Sequence, residues 1–230
     1  MEDITLGVIL GNRDFFPDGL IAAGREQLLT VLRDLRIKPI LLDPSESVAG
    51  SVETWEDAKR CAALFDAHRH DIQGIIISLP NFGDEKAAVD AVRLSGLHVP
   101  ILVHAFPDHL DALSPDVRRD AFCGKISVCN NLYQYGYPYS VTRRHTLRPD
   151  ANEFRDELAR FCRVCAVVHG LRHLRVGAVG ARPNAFNTTR YSEKLLEDAG
   201  ISVQTVDLSE ILGRATGLAV RDRPQRGARR

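Results

Sequence analysis

Short, continuously apolar runs alternate with helix-periodic segments through the first half of the chain. The apolar runs predict strands over residues 4–10, 39–42, 75–79 and 99–103. Apolar residues recur at helical spacing over residues 19–35 and 84–94, and Ser51 is the predicted N-cap of a further helix between them. No β-hairpin turn signal joins the strands. This pattern predicts a parallel sheet with helices on both faces.

The alternation returns in the second half. It predicts a helix over residues 152–168, a strand over 175–179, a helix around 191–199, a strand over 201–206 and a helix from Asp207. Gly200 suits the position after a helix because glycine accepts a left-handed conformation. The predicted fold class is therefore α/β. A parallel-sheet, Rossmann-like domain over residues 1–150 is followed by the start of a second α/β domain over 151–213.

Residues 214–230 read RATGLAVRDRPQRGARR, with six arginines and almost no periodicity. One interpretation is a disordered basic tail. The other is that truncation or a changed reading frame has replaced the natural continuation. We favour the second slightly, because a single strand–helix–strand unit leaves sheet edges and helix faces unburied.

Composition excludes several classes of function. Of 230 residues, 30 are basic and 30 acidic, so no net charge favours nucleic acid or an anionic membrane as partner. No apolar run approaches the roughly 20 residues of a membrane span. The N-terminus enters a strand directly, unlike a signal peptide, so a cytoplasmic location is expected.

Two cysteines, Cys162 and Cys165, lie on the apolar side of a predicted helix. We interpret them as buried, reduced thiols rather than a redox or metal site. His169 and His173 are four residues apart, but the pattern is that of a helix C-terminus without an acidic third ligand. No metal site is predicted from them.

Gly177 follows a predicted strand, yet the G-x-G-x-x-G pattern of dinucleotide-binding loops is absent. NAD is therefore not an expected cofactor.

Chemically diverse side chains follow the predicted parallel strands, where ligands of such sheets bind. Arg13, Phe15 and Phe16 follow the first strand, Phe82 follows the third, and His104 follows the fourth. Hydrogen-bonding groups beside flat rings suit a small polyhydroxylated ligand. The alternative is structural: Arg13 pairs with a neighbouring aspartate, and His104 caps a strand end.

The segment over residues 120–142 is rich in amides, hydroxyls and tyrosines. It would either cover a polar ligand pocket or form a protein interface.

Three stretches resemble one family, the L-fucose/L-arabinose isomerase superfamily, and especially its L-fucose/D-arabinose isomerase-like sugar isomerases. They are GVILGNRDFFPDG, DAFCGKISVCNNL and VGAVGARPNAFNTTRYSEKLLEDAGISVQTVDLSEI. The likeness extends to about Gly213 and covers an N-terminal part only.

The resemblance implies an aldose–ketose isomerase, an intramolecular oxidoreductase that works through an ene-diol. It implies two Rossmann-like N-terminal domains, a C-terminal catalytic domain and homo-oligomers. It also implies Mn²⁺, a hard cation able to stabilise an enediolate.

By the same resemblance, Arg13, Phe15, Phe16 and His104 would contact the sugar substrate in a neighbouring subunit's pocket. The metal ligands and catalytic residues are expected outside this chain, which would then be inactive alone. A non-enzymatic sugar-binding or sensing module is the alternative function.

Overall fold

The computed structural model describes residues 4–109, 111–112, 114 and 117–221. The chain forms two compact units, Met1–Val168 and His169–Arg230.

The first unit contains a five-stranded sheet in which every pair of neighbouring strands is parallel. Its strands are β1 (Thr5–Leu10), β2 (Lys38–Ile40), β3 (Gly74–Leu79), β4 (Ile101–Ala105) and β5 (Ser140–Val141). Their order across the sheet is β2-β1-β3-β4-β5. The predicted α/β class with a parallel, Rossmann-like sheet is confirmed.

Helices cover both faces of this sheet. They are α1 (Asp18–Asp34), α2 (Trp55–Ala67), α3 (Glu85–Ser95), α4 (Ala121–Gln134) and α5 (Asn152–Arg172). On one face, Phe65 of α2, Val89 of α3 and Val128 of α4 pack in one apolar core. On the other, Leu28 of α1 and Leu158 of α5 pack in a second. Burial on both faces explains why the strands are continuously apolar.

Helix α5 belongs largely to the first unit. Its buried side chains Phe154, Leu158, Phe161, Cys162 and Cys165 contribute to the second core. The first unit therefore reaches Val168, beyond the boundary predicted at residue 150. Periodicity reveals that a helix has an apolar stripe, but not which sheet the stripe covers.

The two α5 thiols are buried, as predicted. Burial raises the pKa of Cys162 to about 11 and that of Cys165 to about 12, so both stay protonated at neutral pH.

The predicted N-cap of α2, Ser51, is wrong, because the helix begins three residues later. Thr54 Oγ1 accepts a hydrogen bond of 3.2 Å from the Asp57 backbone N–H, and the Asp57 carboxylate accepts one of 3.0 Å from Thr54 N–H. This reciprocal capping box satisfies two backbone donors that the helix leaves free. The Ser51 hydroxyl is buried and has no partner in the described part of the chain.

The second unit contains a parallel pair of strands, β6 (Arg175–Val179) and β7 (Ser202–Val206), with helices α6 (Glu193–Asp198) and α7 (Leu208–Arg221). Gly200 follows α6 at φ 83°, in the left-handed conformation expected for it. Helix α7 extends into the predicted tail of residues 214–230, and residues 222–230 lie outside the described ones. Over the residues that the structure describes, no helix is long and apolar enough to cross a membrane.

Candidate functional site

The strand order places a topological switch point between β1 and β3. The chain leaves β1 toward β2 on one side and leaves β3 toward β4 on the other. The loops after β1 and β3 therefore separate at their carboxyl ends, and this crevice is where open α/β sheets bind ligands.

A buried amide pair joins the two loops at this crevice. Asn81 Nδ2 donates to Asn12 Oδ1 at 2.7 Å, and Asn81 Oδ1 accepts from the Gly83 backbone N–H at 3.0 Å. The Asn12 carbonyl accepts from Asp84 N–H at 2.7 Å. Both asparagine side chains are fully buried, so these bonds hold the loops at a fixed separation.

Glu53, on the loop before α2, is hydrogen-bonded to the buried amide pair. Its Oε2 accepts from Asn12 Nδ2 at 2.9 Å, whereas Oε1 is buried without a partner among the described residues. Burial raises the pKa of Glu53, and the charges of Asp14, Asp57 and Asp18 raise it further against the lowering effect of the Asn12 bond. Glu53 therefore ties a third loop to the buried amide pair through its bond to Asn12.

Arg13 lies on the loop after β1, with 37% of its side chain exposed. Its guanidinium contacts Glu85 Oε2 at 3.2 Å and lies 5.0 Å from the centroid of the Phe82 ring. The charge partner is therefore Glu85 of α3, and not Asp14 or Asp18. An ion pair and a cation–π contact together limit the positions that this side chain can take.

The two phenylalanines of the same loop differ in exposure. Phe15 is 62% exposed, whereas Phe16 is 3% exposed. Their ring centroids are 4.4 Å apart, and Phe16 is 6.3 Å from Phe82. Phe16 thus anchors the loop in the core, and Phe15 presents its ring to solvent.

His104 lies inside β4 rather than after it, and it is fully buried. Its Nε2 is 2.8 Å from the Leu147 carbonyl, which can only accept, so Nε2 carries the proton. Nδ1 then accepts from the Ser78 hydroxyl at 2.9 Å. The ring also contacts Phe154, with centroids 4.3 Å apart. Burial lowers the pKa of His104 to about 3, so the ring is neutral at physiological pH.

The family model of the fucose/sulfoquinovose isomerase N-terminal domain matches residues 7–172. The chain belongs to the fucose/sulfoquinovose isomerase family. The matched residues run from β1 to the end of α5, and the third resembling stretch, over residues 176–211, lies beyond them. A comparison with curated proteins finds no match.

This isomerase-family domain brings three of the four predicted site residues together. Arg13, Phe15 and Phe16 share one loop at the switch point, with the Phe82 ring beside them. His104 is near the same end of the sheet but in the interior, where both ring nitrogens already have partners. Whether any of the four contacts a sugar stays a prediction.

Two acidic residues of this site were missing from the sequence-based prediction. Glu85 opens α3 only a few residues after β3, and the general rule that ligands gather after parallel strands would have found it. Glu53 follows no predicted strand, so nothing in its sequence context indicated the bond to Asn12.

Metal binding is not supported by the residues that the structure describes. No group of three or more histidine, cysteine, aspartate or glutamate side chains among them could hold an ion. The resemblance places the ligands of the expected Mn²⁺ outside this chain, and that expectation stays a prediction.

Proposed function

We propose that the first unit forms one wall of the sugar-binding pocket of an aldose–ketose isomerase. The observation that carries this proposal is the position of Arg13 at the switch point, held by Glu85 and by the Phe82 ring. The family membership supports the isomerase assignment.

The side chains at the crevice offer complementary contacts for a sugar. A guanidinium has five N–H donors, and Glu85 engages one nitrogen of Arg13. The partly exposed Glu85 carboxylate provides acceptor oxygens, and the exposed Phe15 ring provides an apolar surface for C–H groups. Donor, acceptor and flat ring together match the alternating hydroxyls and C–H faces of a monosaccharide.

The reaction itself requires groups of other kinds. Isomerisation through an ene-diol moves one proton between C1 and C2 and a second between their oxygens, and a carboxylate beside both carbons would carry the first. We assign that carboxylate, and the ligands of the expected Mn²⁺, to residues outside the described part of this chain. The wall formed by Arg13 and Phe15 would face a neighbouring subunit's pocket in a homo-oligomeric full-length isomerase.

Sugar binding by the purified chain tests the proposal. Saturation-transfer NMR with L-fucose, D-arabinose and sulfoquinovose should detect binding of at least one sugar without added metal. Arg13→Gln should weaken that binding about tenfold, because a charge-assisted donor is lost. Arg69→Gln is the matched control, since Arg69 pairs with Asp66 near the end of α2 and is also exposed. Equal binding by wild type and Arg13→Gln would refute the role of Arg13.

Turnover provides a second, separate readout. The chain supplied with Mn²⁺ should not interconvert aldose and ketose, because the proton-transferring carboxylate is assigned elsewhere. Metal-dependent conversion by the chain alone would contradict that assignment but would leave the sugar-binding wall intact.

A further inference from the structure

A cavity lies between α4 and the edge strand β5, and none of the switch-point residues described above lines it. It has a volume of about 500 Å³, within the range of small-molecule pockets. It is lined by Phe122, Lys125, Ile126, Cys129, Asn130, Tyr133, Tyr139, Val141 and His145. Most of these side chains present aromatic rings or aliphatic carbon, and Tyr133 is 75% exposed. We refer to this cavity as the α4 groove.

Lys125 is the feature of the α4 groove that points to a ligand. The residue is only 4% exposed, and its Nζ donates to Thr142 Oγ1 at 3.0 Å and to the His145 carbonyl at 2.9 Å. Both acceptors are neutral. Within the described ranges, Lys125 forms no ion pair with a carboxylate. A buried ammonium without a counter-ion is costly, and its third N–H is still available.

The polar groups beside Lys125 favour binding of an anion, and not of a cation, in the α4 groove. The Thr142 hydroxyl donates its own proton to the Arg144 carbonyl at 2.7 Å, so its oxygen stays an acceptor for Lys125. Asn130 Oδ1 accepts from Gln134 Nε2 at 3.2 Å, which leaves the Asn130 amide N–H groups as donors. An ammonium and an amide donor in one cavity are complementary to a carboxylate.

We propose that the α4 groove binds a small monocarboxylate with a planar, apolar body. The carboxylate would pair with Lys125, and the body would contact the aromatic walls, among which Phe122 lies beside His145 with ring centroids 4.7 Å apart. The site is distinct from the sugar-binding wall and does not depend on it. Either proposal can fail without the other.

Benzoate is the probe that tests both parts of the ligand. Isothermal titration should detect benzoate binding to the wild-type chain at neutral pH. Benzamide, which has the ring without the charge, and acetate, which has the charge without the ring, should each bind at least about tenfold more weakly. Benzamide binding as well as benzoate would show a merely apolar groove and would overturn the proposal.

Lys125→Met tests the named residue, since methionine keeps most of the side-chain length without the charge. Benzoate affinity should fall about tenfold or more in this variant. Lys59→Met is the matched control, because Lys59 is exposed and pairs with Glu56 on α2. Unchanged affinity in Lys125→Met would overturn the assignment.

If Lys125→Met does not fold, the pH dependence of benzoate binding to the wild-type chain provides a separate test of the role of Lys125. The titratable groups near Lys125 include His104 on β4, Cys129 on α4 and Glu157 on α5. His145, Tyr133 and Tyr139 also line the cavity. Burial lowers the pKa of Lys125 to about 8. Benzoate binding should therefore weaken as the pH rises above about 8, whereas any benzamide binding should not change.

A second copy of the chain is the competing occupant of the α4 groove. Sedimentation of the wild type and of Ile126→Asp distinguishes it, because a charge on the exposed groove wall would disrupt a dimer. A dimer that dissociates in Ile126→Asp, together with no benzoate binding to the wild type, would replace the small-molecule proposal.

Discussion

His104 and Lys125 are two polar side chains in the interior of the first unit, and their hydrogen bonds affect their charge differently. Both His104 ring nitrogens are satisfied in the neutral form, because one donates to Leu147 and the other accepts from Ser78. Lys125 can only donate, so its two oxygen partners favour the charged form while burial opposes it. The hydrogen bonds of His104 are thus satisfied in its neutral form, whereas a bound anion would stabilise the charged form of Lys125.

The neutral state of His104 predicts a loss of stability in acid. In the folded chain its pKa is about 3, against a usual value of 6.5. Below pH 6.5 the unfolded chain therefore binds a proton that the folded chain does not, and the free energy of unfolding decreases as the pH falls. Between pH 6.5 and about pH 5, this group should remove up to about 2 kcal/mol. Urea denaturation followed by the fluorescence of Trp55, the single tryptophan, measures this in the first unit.

His104→Gln isolates the contribution of the imidazole from that of the carboxyl groups. Glutamine can donate to Leu147 and accept from Ser78, but it does not titrate. In His104→Gln, the free energy of unfolding should depend less on pH than in the wild type. In His70→Gln, at an exposed site, its pH dependence should be unchanged. Identical pH dependence in His104→Gln and wild type would show that the buried ring does not control acid stability.

Strands buried on both faces were predictable, because such burial leaves an unbroken apolar run, whereas the two-residue, exposed edge strand β5 was not predicted. The run over residues 75–79 lies within β3 (Gly74–Leu79), and the first run matches β1 almost completely. Helix α4 was not predicted, since its burial does not follow apolarity. Lys125 and Gly124 are buried in it, whereas Ile126 is exposed. This pattern depends on contacts with loops that are distant in sequence.

The candidate site was predictable only where it follows from strand direction. The rule that ligands bind beyond the carboxyl ends of parallel strands located the loop of Arg13 and Phe15. It could not distinguish the buried Phe16 from the exposed Phe15, nor place His104 inside its strand. The partnership of Asn12 with Glu53 requires the path of a third loop, which periodicity does not contain.

Gly124 of helix α4 packs against Phe82, beside the proposed sugar-binding wall of Arg13 and Phe15. A Cβ atom at this position would clash with the Phe82 carbonyl oxygen, so helix and loop would have to separate. Gly124→Ala should lower the free energy of unfolding of the first unit by about 1–3 kcal/mol. It should also weaken sugar binding, because the Phe82 ring that supports Arg13 would move. Urea denaturation and saturation-transfer NMR measure the two effects.

Gly19→Ala, in α1 of the same unit, is the control for the helical substitution itself. A Cβ at Gly19 would have no heavy atom within 4 Å, and alanine favours a helix by up to about 1 kcal/mol over glycine. The Trp55-monitored stability should therefore not decrease in this variant. If both variants lose the same free energy of unfolding, the close approach of Gly124 to Phe82 is not the reason that α4 requires glycine at this position.

At the scale of the whole molecule, the two units differ in how completely they bury their strands. All residues of β1, β3 and β4 are buried, between apolar cores on both faces of the sheet. In the second unit, β6 and β7 are exposed or half-buried along their length. Large apolar side chains such as Val179, Leu195 and Leu212 are exposed there. The apolar burial that stabilises folded domains is therefore concentrated in the first unit.

Amide hydrogen exchange should reveal this difference directly. The strand pairs β1–β3 of the first unit and β6–β7 of the second can be compared directly, since both are parallel and in regular register. A two-stranded sheet is marginally stable, and local opening exposes its amides without unfolding the rest of the chain. Amides of β6 and β7 should exchange about a hundredfold faster than those of β1 and β3. Equal protection would mean that the second unit is stabilised by something other than its own core, and oligomer assembly would then be the first cause to test.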